Sequence, residues 1–283
     1  MSFHTVADVD VLRAAVEAWR KTGETVAFVP TMGALHEGHL SLVRAAKQLV
    51  GRVIVSIFVN PKQFAPHEDF ARYPRPLEQD QALLARVGCD LLFTPNVATI
   101  YPSGFSTLVD PGPLATILEG VVRPGHFVGV ATVVTRLLSL VAPDHAFFGE
   151  KDYQQLLVIR RVVADLALPV AIHGISTVRA PDGLALSSRN AYLSADERTR
   201  ALVLPQTLIG AAAALSAGTP VIEALQAGSR RIEFAGLNLD YLALCDTSTL
   251  APITVMNSPA RLLVAAKCGA TRLIDNVPVL PTD

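Results

Sequence analysis

The stretch VAFVPTMGALHEGH, residues 26–39, decides the fold. Its first four residues are all apolar, which predicts a buried strand that ends at Pro30. A helical pattern follows from about His36 to Val50, and the turn between the strand and the helix contains Gly33. A buried strand that passes through a short turn into a helix indicates one unit of an α/β fold with parallel strands.

The same alternation of apolar strands and helices continues on both sides of this stretch. Upstream, Thr5-x-x-Asp8 predicts a capping box that opens a helix to about Lys21. Downstream, the predicted elements are the strands Arg52–Val59, Leu91–Phe93, His145–Phe148 and Val170–Ile175, the helices Pro76–Val87, Phe127–Val141 and Tyr153–Asp165, and a polar loop over Asn60–Arg75. This order favours a parallel sheet with helices on both faces, with ligands bound at the carboxyl ends of the strands.

The pattern changes after about Thr177. Ser194-x-x-Glu197 predicts a capping box that opens a long helix interrupted by Pro205, and a second helix spans about Pro220–Phe234. Three strand-like runs follow, at Asp240–Cys245, Arg261–Lys267 and Arg272–Asp275. We therefore expect two domains, a parallel-sheet domain over residues 1–177 and a smaller α+β domain over residues 178–283.

The composition argues against several classes of function. The 24 basic residues nearly cancel the 25 acidic ones, and no basic run favours binding to nucleic acid or to a membrane surface. No apolar run approaches the ~18 residues of a membrane span, and the first ten residues lack the apolar centre of a secretory signal. Cys89, Cys245 and Cys268 are odd in number and widely spaced, which predicts buried free thiols in a reducing cytosol.

His36 and His39 are candidates for binding phosphate. Their spacing places both rings on one face of the predicted helix. The unpaired N–H groups and partial positive charge of a helix start attract phosphate, and imidazole donors strengthen that contact as negative charge shifts in a transition state. A metal site and a structural pair are the alternatives, although zinc needs a third ligand and none lies nearby in the sequence.

Three further polar segments follow predicted strands or precede helices. Asn60 and Gln63 follow the second strand, and Gln63 offers both donors and acceptors, with a solvated loop side chain as the alternative. The segment RPGHFVGVAT, residues 123–132, places glycines and cations before a helix, and a capped buried helix is its alternative. In FGEKDYQQ, residues 148–155, Gly149 allows close approach of a ribose, Asp152 accepts its hydroxyl hydrogens, Lys151 suits phosphate, and Gln155 lies one helical turn past Lys151. A solvated helix start is the alternative here.

The segment VRAPDGLALSSRN, residues 178–190, combines a turn with phosphate-binding residue types. Pro-Asp-Gly is a strong turn signal. The two hydroxyls and the guanidinium of Ser187, Ser188 and Arg189 can hold a triphosphate. A plain hairpin is the alternative.

These motifs together resemble a known family. H-x-G-H at the first strand-to-helix turn is typical of the nucleotidyltransferase superfamily, which includes the class I aminoacyl-tRNA synthetases. The longer string PTMGALHEGHLSLVRAA, from residue 30, resembles the pantothenate synthetase family, and EDFARYPR, RPGHFVGVAT, FGEKDYQQ and residues 178–190 continue the likeness. The match is dense from about Val26 to Asn190 and looser toward the C-terminus. The family usually has Met where Lys62 and Leu186 stand.

The resemblance implies a Rossmann-like first domain that binds nucleotide and pantoate, a C-terminal lid domain, and ATP-dependent condensation of pantoate with β-alanine through a pantoyl adenylate. The residues that it implies for ATP are Met32, Gly33, His36, His39, Gly149, Lys151, Asp152, Val178, Leu186, Ser187, Ser188 and Arg189, of which His36, His39, Lys151 and Arg189 are catalytic. Substrate residues are Gln63 and Gln155 for pantoate, Asn60, and Tyr73 in the amine pocket. It also implies Mg²⁺ carried on the phosphates, with Asp80 as a candidate contact, and a cytoplasmic homodimer.

Two other functions remain open at this point. A nucleotidyltransferase that acts on a phosphate-bearing acceptor needs a cationic site for the second phosphate, where this chain offers Gln63 and Gln155. A non-catalytic nucleotide sensor has no need of both histidines, Lys151 and the Ser-Ser-Arg loop together.

Overall fold

The computed structural model describes residues 3–66 and 68–281, so His67 in the predicted polar loop lies outside the described residues. The chain divides into two compact units. The first comprises Met1–Glu150 and Gln155–Ser176, and the second comprises Lys151–Gln154 and Thr177–Asp283. Each unit has its own sheet and its own apolar core.

The first unit is built on a parallel sheet, to which the described residues contribute six strands. The strands are β1 (His4–Val6), β2 (Val26–Thr31), β3 (Arg52–Ile57), β4 (Leu91–Phe93), β5 (His145–Gly149) and β6 (Ala171–Ile175). Their order across the sheet is β1-β4-β3-β2-β5-β6, with every neighbouring pair parallel. The strand that opens the sequence motif, β2, therefore lies inside the sheet between β3 and β5.

Helices cover both faces of this sheet. They are α1 (Val9–Lys21), α2 (Glu37–Leu49), α3 (Leu77–Arg86), α4 (Val97–Ile100), α5 (Glu119–Val122), α6 (His126–Val141) and α7 (Tyr153–Asp165). Successive residues of a strand point to opposite faces. Accordingly Phe28 joins a core with α1, α6 and α7, whereas Val29 joins a core with α2 and α3. The prediction of a parallel sheet with helices on both faces is confirmed.

The predicted capping box at Thr5 and Asp8 is wrong. Thr5 lies in β1, where it is paired with Leu92 of β4. The N-cap of α1 is Asp8, whose carboxylate accepts hydrogen bonds from the N–H groups of Asp10 and Val11. The segment before Asp8 adds a strand to the sheet because pairing with β4 satisfies its backbone groups.

The second unit has the small α+β architecture that the sequence predicts. Its helices and strands are α8 (Ala195–Ala201), α9 (Val203–Ser216), α10 (Val221–Phe234), β7 (Asn238–Asp246), β8 (Ala260–Cys268) and β9 (Thr271–Val279). The strands form an antiparallel sheet in the order β7-β8-β9. The Ser194 capping box is confirmed. The helix break falls at Leu202, because Pro205 occupies the first turn of α9, where a missing N–H removes no helical hydrogen bond.

Throughout residues 3–66 and 68–281, no helix combines the length and the apolar character needed to cross a membrane.

Candidate active site

The turn after β2 follows a backbone path that requires glycine at Gly33. Its φ angle is +81°, and a Cβ atom added there would lie 2.9 Å from Cγ2 of Ile57 in β3. The left-handed backbone and the lack of space both exclude a side chain. The turn therefore runs close against β3 before the chain enters α2.

Asp80, in the first turn of α3, holds the same turn in place. Its side chain is 1% exposed and accepts hydrogen bonds from the N–H groups of Ala34, at 2.9 Å, and Leu35, at 2.7 Å. Burial raises the pKa of this carboxyl, and the two backbone donors act in the opposite direction. Each carboxylate oxygen therefore accepts one hydrogen bond from the backbone, and contact of Asp80 with Mg²⁺ stays a prediction.

His36 and His39 lie side by side at the start of α2. His36 is the N-cap residue, and its Nδ1 accepts a hydrogen bond from the N–H of Gly38 at 3.2 Å. The Nδ1 of His39 accepts from the N–H of His36 at 3.3 Å. The ring centroids are 4.1 Å apart, so the three-residue spacing brings the rings together as predicted.

These two hydrogen bonds define the tautomer of each ring. A backbone N–H donates only to a ring nitrogen that carries no proton, so each neutral imidazole has its hydrogen on Nε2. The partial positive charge at the start of α2 favours a nearby anion. The pair therefore presents Nε2–H donors of the kind that a phosphate oxygen accepts.

Gln63 connects the turns that follow β2 and β3. It ends a 3₁₀ turn, Pro61–Gln63. Its Oε1 accepts from Nδ2 of Asn60 at 3.0 Å, and its Nε2 lies 3.4 Å from Sδ of Met32 as a donor. Two predicted site residues, Met32 and Gln63, are thus in contact at the carboxyl edge of the sheet.

Asn60 has its hydrogen bonds inside the protein. It is 1% exposed, and its Nδ2 also donates to the carbonyl of Gly129 at 3.1 Å. Its Oδ1 accepts from the hydroxyl of Tyr101 at 2.7 Å and from the N–H of Lys62 at 3.2 Å. Substrate contact by Asn60 stays a prediction, and this geometry favours a role in orienting Gln63.

The segment RPGHFVGVAT supports the Gln63 turn. The carbonyl of Gln63 accepts hydrogen bonds from Nδ1 of His126 at 2.9 Å and from the guanidinium of Arg123 at 3.3 Å. Arg123 also forms an ion pair with Glu68, with an N–O distance of 2.7 Å. Arg123 donates to Nε2 of His126 at 3.0 Å, which fixes the proton of His126 on Nδ1.

His126 is neutral in the folded protein. Burial and then the neighbouring charge of Arg123 lower its pKa from 6.5 to about 4. A ring that receives one hydrogen bond from a guanidinium and donates another to a carbonyl needs to be neutral. His126 therefore acts as a fixed connection between the start of α6 and the Gln63 turn.

Gly129 allows α6 to approach this turn closely. A Cβ atom at Gly129 would lie 2.2 Å from the carbonyl oxygen of Lys62 and 2.9 Å from Cα of Gln63. Both neighbours are backbone atoms, so no rotamer change relieves the overlap. Residues 123–132 thus contain the start of a buried helix, which was the alternative interpretation of this segment. This helix start supports the Gln63 turn.

Tyr73, which is predicted for the amine pocket, and Lys62 lie near this turn. Tyr73 is buried, and its ring meets that of Phe64 edge-on at 5.9 Å. Lys62 places Nζ 5.1 Å from the ring centre of Tyr101 and 5.7 Å from that of Phe105. The ammonium group therefore lies over aromatic faces, where a cation is attracted by the ring electrons.

In the second unit, Lys151 and Asp152 belong to a 3₁₀ turn, Glu150–Asp152. The carbonyl of Lys151 accepts a hydrogen bond from Nδ2 of Asn276 at 2.8 Å, and Asp152 is exposed. In the first unit, Gly149 ends β5 and Gln155 is half-buried in α7. The roles of these residues toward ATP and substrate stay predictions.

Residues 178–190 form a hairpin in the second unit. The N–H of Leu186 donates to the carbonyl of Val178 at 3.0 Å, and a turn at Gly183, with φ of +91°, reverses the chain. The Oγ of Ser187 then accepts from the N–H of Arg189 at 3.3 Å and caps a 3₁₀ turn, Ser188–Tyr192. The hairpin considered as an alternative is present, and Ser187, Ser188 and Arg189 follow its second strand.

Sequence reasoning missed two residues that support the candidate site. Asp275 pairs with Arg179 at the base of the hairpin, with an N–O distance of 2.7 Å, and Asn276 holds Lys151. Both are nearly fully buried in β9. The available signal was an adjacent Asp and Asn inside the otherwise apolar run that ends the chain.

Within the described part of the chain, no cluster of three or more His, Cys, Asp or Glu side chains is arranged to hold a metal ion. A cation that keeps its own water and binds through substrate phosphates needs no such cluster.

Comparison with known proteins gives one consistent family. Residues 4–278 match the family of pantoate-beta-alanine ligases. The chain is 56% identical over 275 residues to the pantothenate synthetase of Acidiphilium cryptum, an alignment that covers 97% of this chain and 99% of that relative.

Solved structures agree in fold over nearly the whole chain. The crystal structure of pantothenate synthetase from Thermus thermophilus matches with a TM-score of 0.94 and 51% identity, covering 99% of this chain and 100% of that one. The pantoate-beta-alanine ligase from Francisella tularensis, complexed with beta-gamma ATP and beta-alanine, matches with a TM-score of 0.83 and 36% identity, covering 97% of each chain.

Proposed function

Because the chain belongs to the pantoate–β-alanine ligase family, we propose that it joins pantoate to β-alanine in two steps at the expense of ATP. In the first step, the pantoate carboxylate attacks the α-phosphorus of ATP, and pyrophosphate leaves as pantoyl adenylate forms. In the second, the amine of β-alanine attacks the acyl carbon, AMP leaves, and the amine loses a proton. ATP is a substrate and the products are pantothenate, AMP and pyrophosphate.

The residues of the first unit fit the demands of the first step. Negative charge develops on the phosphate oxygens as pyrophosphate departs, and donors that are already oriented stabilise it without reorganisation. We assign this role to His36 and His39, whose Nε2–H donors are fixed by backbone hydrogen bonds at Nδ1. His39 is assigned as the proton donor in the hydrogen bond to the phosphate oxygens, and as a neutral ring it keeps this proton throughout the step. This fixed pair of donors is the observation that carries the proposal.

The substrate residues belong to the same edge of the parallel sheet. Gln63 is assigned to pantoate because its amide can hydrogen-bond both a carboxylate and a hydroxyl, and because Asn60 and the His126–Arg123 pair hold it in place. Gln155 is assigned to pantoate and Tyr73 to the amine pocket. Met32, Gly33 and Gly149 supply backbone close to the nucleotide.

The residues of the second unit complete the assignment. Lys151, Ser187, Ser188 and Arg189 are assigned to the phosphates, Asp152 to the ribose hydroxyls, and Val178 and Leu186 to nucleotide contacts. Cationic groups and hydroxyls are the residue types that hold a triphosphate. The second unit is assigned as a lid that closes over the nucleotide. No covalent enzyme nucleophile is needed, since positioning and electrostatic stabilisation suffice for this chemistry.

We further propose that the active form is a cytoplasmic homodimer that uses ATP with Mg²⁺ held by the phosphate oxygens. The thiols of Cys89, Cys245 and Cys268 are free and buried, which agrees with a reducing compartment. Light scattering on the purified protein tests the dimer, and loss of activity with a chelator of Mg²⁺ tests the cation.

Pyrophosphate release tests the central proposal. We expect slow release from ATP and Mg²⁺ with pantoate alone and multiple turnover once β-alanine is added. Release without dependence on pantoate, in protein that is folded and binds ATP, would contradict the assignment. A phosphate-bearing acceptor would then be tested in place of pantoate, as expected for the alternative nucleotidyltransferase.

A further inference from the structure

Strand β9 contains an unusual pair of adjacent buried polar residues. Asp275 is 4% exposed and Asn276 is 3% exposed, in a strand whose Leu273, Val277 and Val279 pack into the core of the second unit. A buried polar residue lowers stability unless it is fully hydrogen-bonded. The partners of this pair therefore indicate why such residues occupy the strand.

Asp275 holds the base of the hairpin over residues 178–190. Its two carboxylate oxygens accept from the two guanidinium nitrogens of Arg179, at 2.7 and 2.9 Å. Arg179 also donates to the carbonyl of Gly183 at 3.1 Å and is bridged across the hairpin to Ala185. A two-pronged ion pair fixes orientation as well as distance, so Asp275 fixes the position and direction of Arg179 relative to β9.

Asn276 holds the segment that contains Lys151. Its Nδ2 donates to the carbonyl of Lys151 at 2.8 Å, and its Oδ1 accepts from Nε of Arg261 at 2.6 Å. The guanidinium of Arg261 lies 4.2 Å from the ring centre of Tyr153, and the hydroxyl of Tyr153 donates to the carbonyl of Thr247 at 2.9 Å. Residues 151–153 are thus fastened to the C-terminal sheet at two points.

The two anchor points are consecutive residues of one strand. The peptide bond between Asp275 and Asn276 is rigid, and the N–H of Asn276 donates to Oδ1 of Asp275 at 2.8 Å. Arg179 also reaches the carbonyl of Asn276, at 3.5 Å. The hairpin and the Lys151 turn are therefore attached to two adjacent residues of one strand, although Lys151 and Val178 are 27 positions apart along the chain.

We propose that Asp275 and Asn276 are positioning residues for adenylation, which keep Lys151 and the Ser187–Arg189 turn at the fixed spacing that one triphosphate requires. The inference rests on the proposed function, since it takes these groups to bind the phosphates. Neither residue needs to touch ATP. A displacement of about 1 Å in a phosphate-binding group lowers the rate on the order of 10²-fold, so anchoring both groups on one rigid dipeptide has a direct effect on the first step.

Three substitutions test the proposal. Asn276→Asp replaces the donor to the Lys151 carbonyl by an oxygen of the same shape, Asp275→Asn removes one acceptor for Arg179, and Arg179→Lys keeps the charge but loses the two-pronged contact. The matched control is Arg198→Gln, which breaks the exposed ion pair between Arg198 and Asp182, a residue of the same hairpin. Arg179→Lys is the mildest of the three and serves if a variant at the buried positions fails to fold.

Each variant is measured in two half-reactions. The first is pyrophosphate release from ATP and pantoate, and the second is formation of pantothenate and AMP from supplied pantoyl adenylate and β-alanine. We expect the first rate to fall by roughly 10- to 100-fold and the second to change by less than about threefold, because no pyrophosphate departs in the second. The control should behave as the unmodified protein in both half-reactions.

An equal fall in both half-reactions, or a fall in neither, would overturn the proposal and leave Asp275 and Asn276 with a purely structural role. ATP affinity, measured by calorimetry without any acid substrate, separates this failure from failure of the proposed function. If the unmodified protein binds ATP but does not activate pantoate, weaker ATP binding in the three variants still supports positioning. Unchanged ATP binding in that case contradicts it.

Discussion

His39 has two ring nitrogens with separate tasks. Nδ1 accepts the hydrogen bond from His36 at the start of α2, and Nε2–H is assigned to the phosphates. Asparagine places an amide oxygen close to the position of Nδ1 but nothing at the position of Nε2, whereas glutamine places an amide nitrogen close to the position of Nε2. The two substitutions therefore separate the structural contact from the catalytic one.

We expect His39→Asn to lower turnover by ~10²–10⁴-fold, since it removes a proton donor and an oriented hydrogen bond from the transition state. The free energy of unfolding should change by less than about 1 kcal/mol, because the helix-start contact is kept. His39→Gln should retain more activity. Pyrophosphate release at saturating substrate and urea unfolding provide the measurements, and near-normal turnover in His39→Asn would remove His39 from the mechanism.

At the scale of single residues, the sequence predicts local geometry better than it predicts which distant residues hold a side chain in place. The H-x-x-H spacing correctly places the two rings together because helix geometry is local. Asp80 and Asn276 hold backbone groups 45 and 125 positions away. Such partners are set by tertiary packing, so a local pattern can mark a residue as unusual but does not identify what it holds.

The next scale is that of the elements, where α6 and the Pro61–Gln63 turn meet through His126. The folded protein keeps this ring neutral down to a pKa of about 4, whereas the unfolded chain takes up a proton near pH 6.5. Between these values the unfolded chain binds more protons, so stability falls as the pH drops. We expect His126 to contribute a loss of about 2 kcal/mol in the free energy of unfolding between pH 7 and pH 5.

His126→Asn tests this contribution. The amide nitrogen of asparagine can replace Nδ1–H as the donor to the Gln63 carbonyl but does not titrate. Urea unfolding of both proteins at pH 7 and pH 5 should therefore show a smaller pH dependence in the variant. Identical pH dependence in the two proteins would mean that the ring is protonated in the folded state, contrary to its contact with Arg123.

Gly129 determines how closely α6 approaches the same turn. In Gly129→Ala, the new methyl group would overlap the Lys62 carbonyl, so the turn that carries Gln63 has to move. We expect the Michaelis constant for pantoate to rise about 10-fold and the free energy of unfolding to fall by about 1–3 kcal/mol.

Gly210→Ala in α9 is the matched control, since no described atom outside its own turn of helix lies within 4 Å of the added Cβ. Alanine favours helix more than glycine, so this variant should be as stable as the unmodified protein or up to about 1 kcal/mol more stable. Normal stability and normal pantoate kinetics in Gly129→Ala would contradict this prediction. They would show that α6 can move away from the turn without a change in the free energy of unfolding or in the Michaelis constant for pantoate.

The sequence predicts the elements well where the apolar pattern is long. Helix α7 and strand β4 have the predicted bounds, and β2 and α6 differ by one or two residues at an end. Strand β1 was missed because three residues are too short for a periodic pattern, and its pairing with β4 involves residues 87 positions away. A capping box at Thr5 and a strand through Thr5 use the same residue types, and only the pairing with Leu92 decides between them.

At the scale of the whole molecule, the three cysteines report on the integrity of both units. Cys89 belongs to the first unit, and Cys245 and Cys268 belong to the second. All three are buried, and burial raises the pKa of Cys89 to about 12 and that of Cys245 to about 11. A thiol reacts as its thiolate, so the low thiolate content and the low solvent access of these cysteines both slow their reaction with a thiol reagent.

We expect the native protein at pH 8 to react with an aromatic disulfide reagent only over hours, and the urea-unfolded protein to release the equivalent of its three thiols within minutes. Counting the released chromophore with and without urea gives the measurement. Rapid reaction of a thiol in the native protein, with full enzymatic activity retained, would contradict the burial of that cysteine.

The fold class follows from the sequence because alternating strands and helices leave few arrangements, and a parallel sheet with helices on both faces is the common one. The strand order β1-β4-β3-β2-β5-β6 cannot be predicted from the sequence in this way, because it depends on which strands, distant from one another along the chain, pair at their edges. The division of the chain is equally non-local. The pattern through residues 148–155 is that of a strand entering a helix, and nothing in it marks Lys151–Gln154 as part of the second unit.

Because residues 151–154 belong to the second unit, a single cut in the chain does not separate the two units. A fragment that begins at Thr177 carries Arg261 and Asn276 but lacks Tyr153 and the Lys151 carbonyl, which are their partners in the intact protein. The guanidinium of Arg261 and the amide of Asn276 would lose these contacts, so the fragment cannot be transferred to another protein as an independent unit. A chimera that takes its C-terminal half from another family member would have to take residues 151–154 from that same parent.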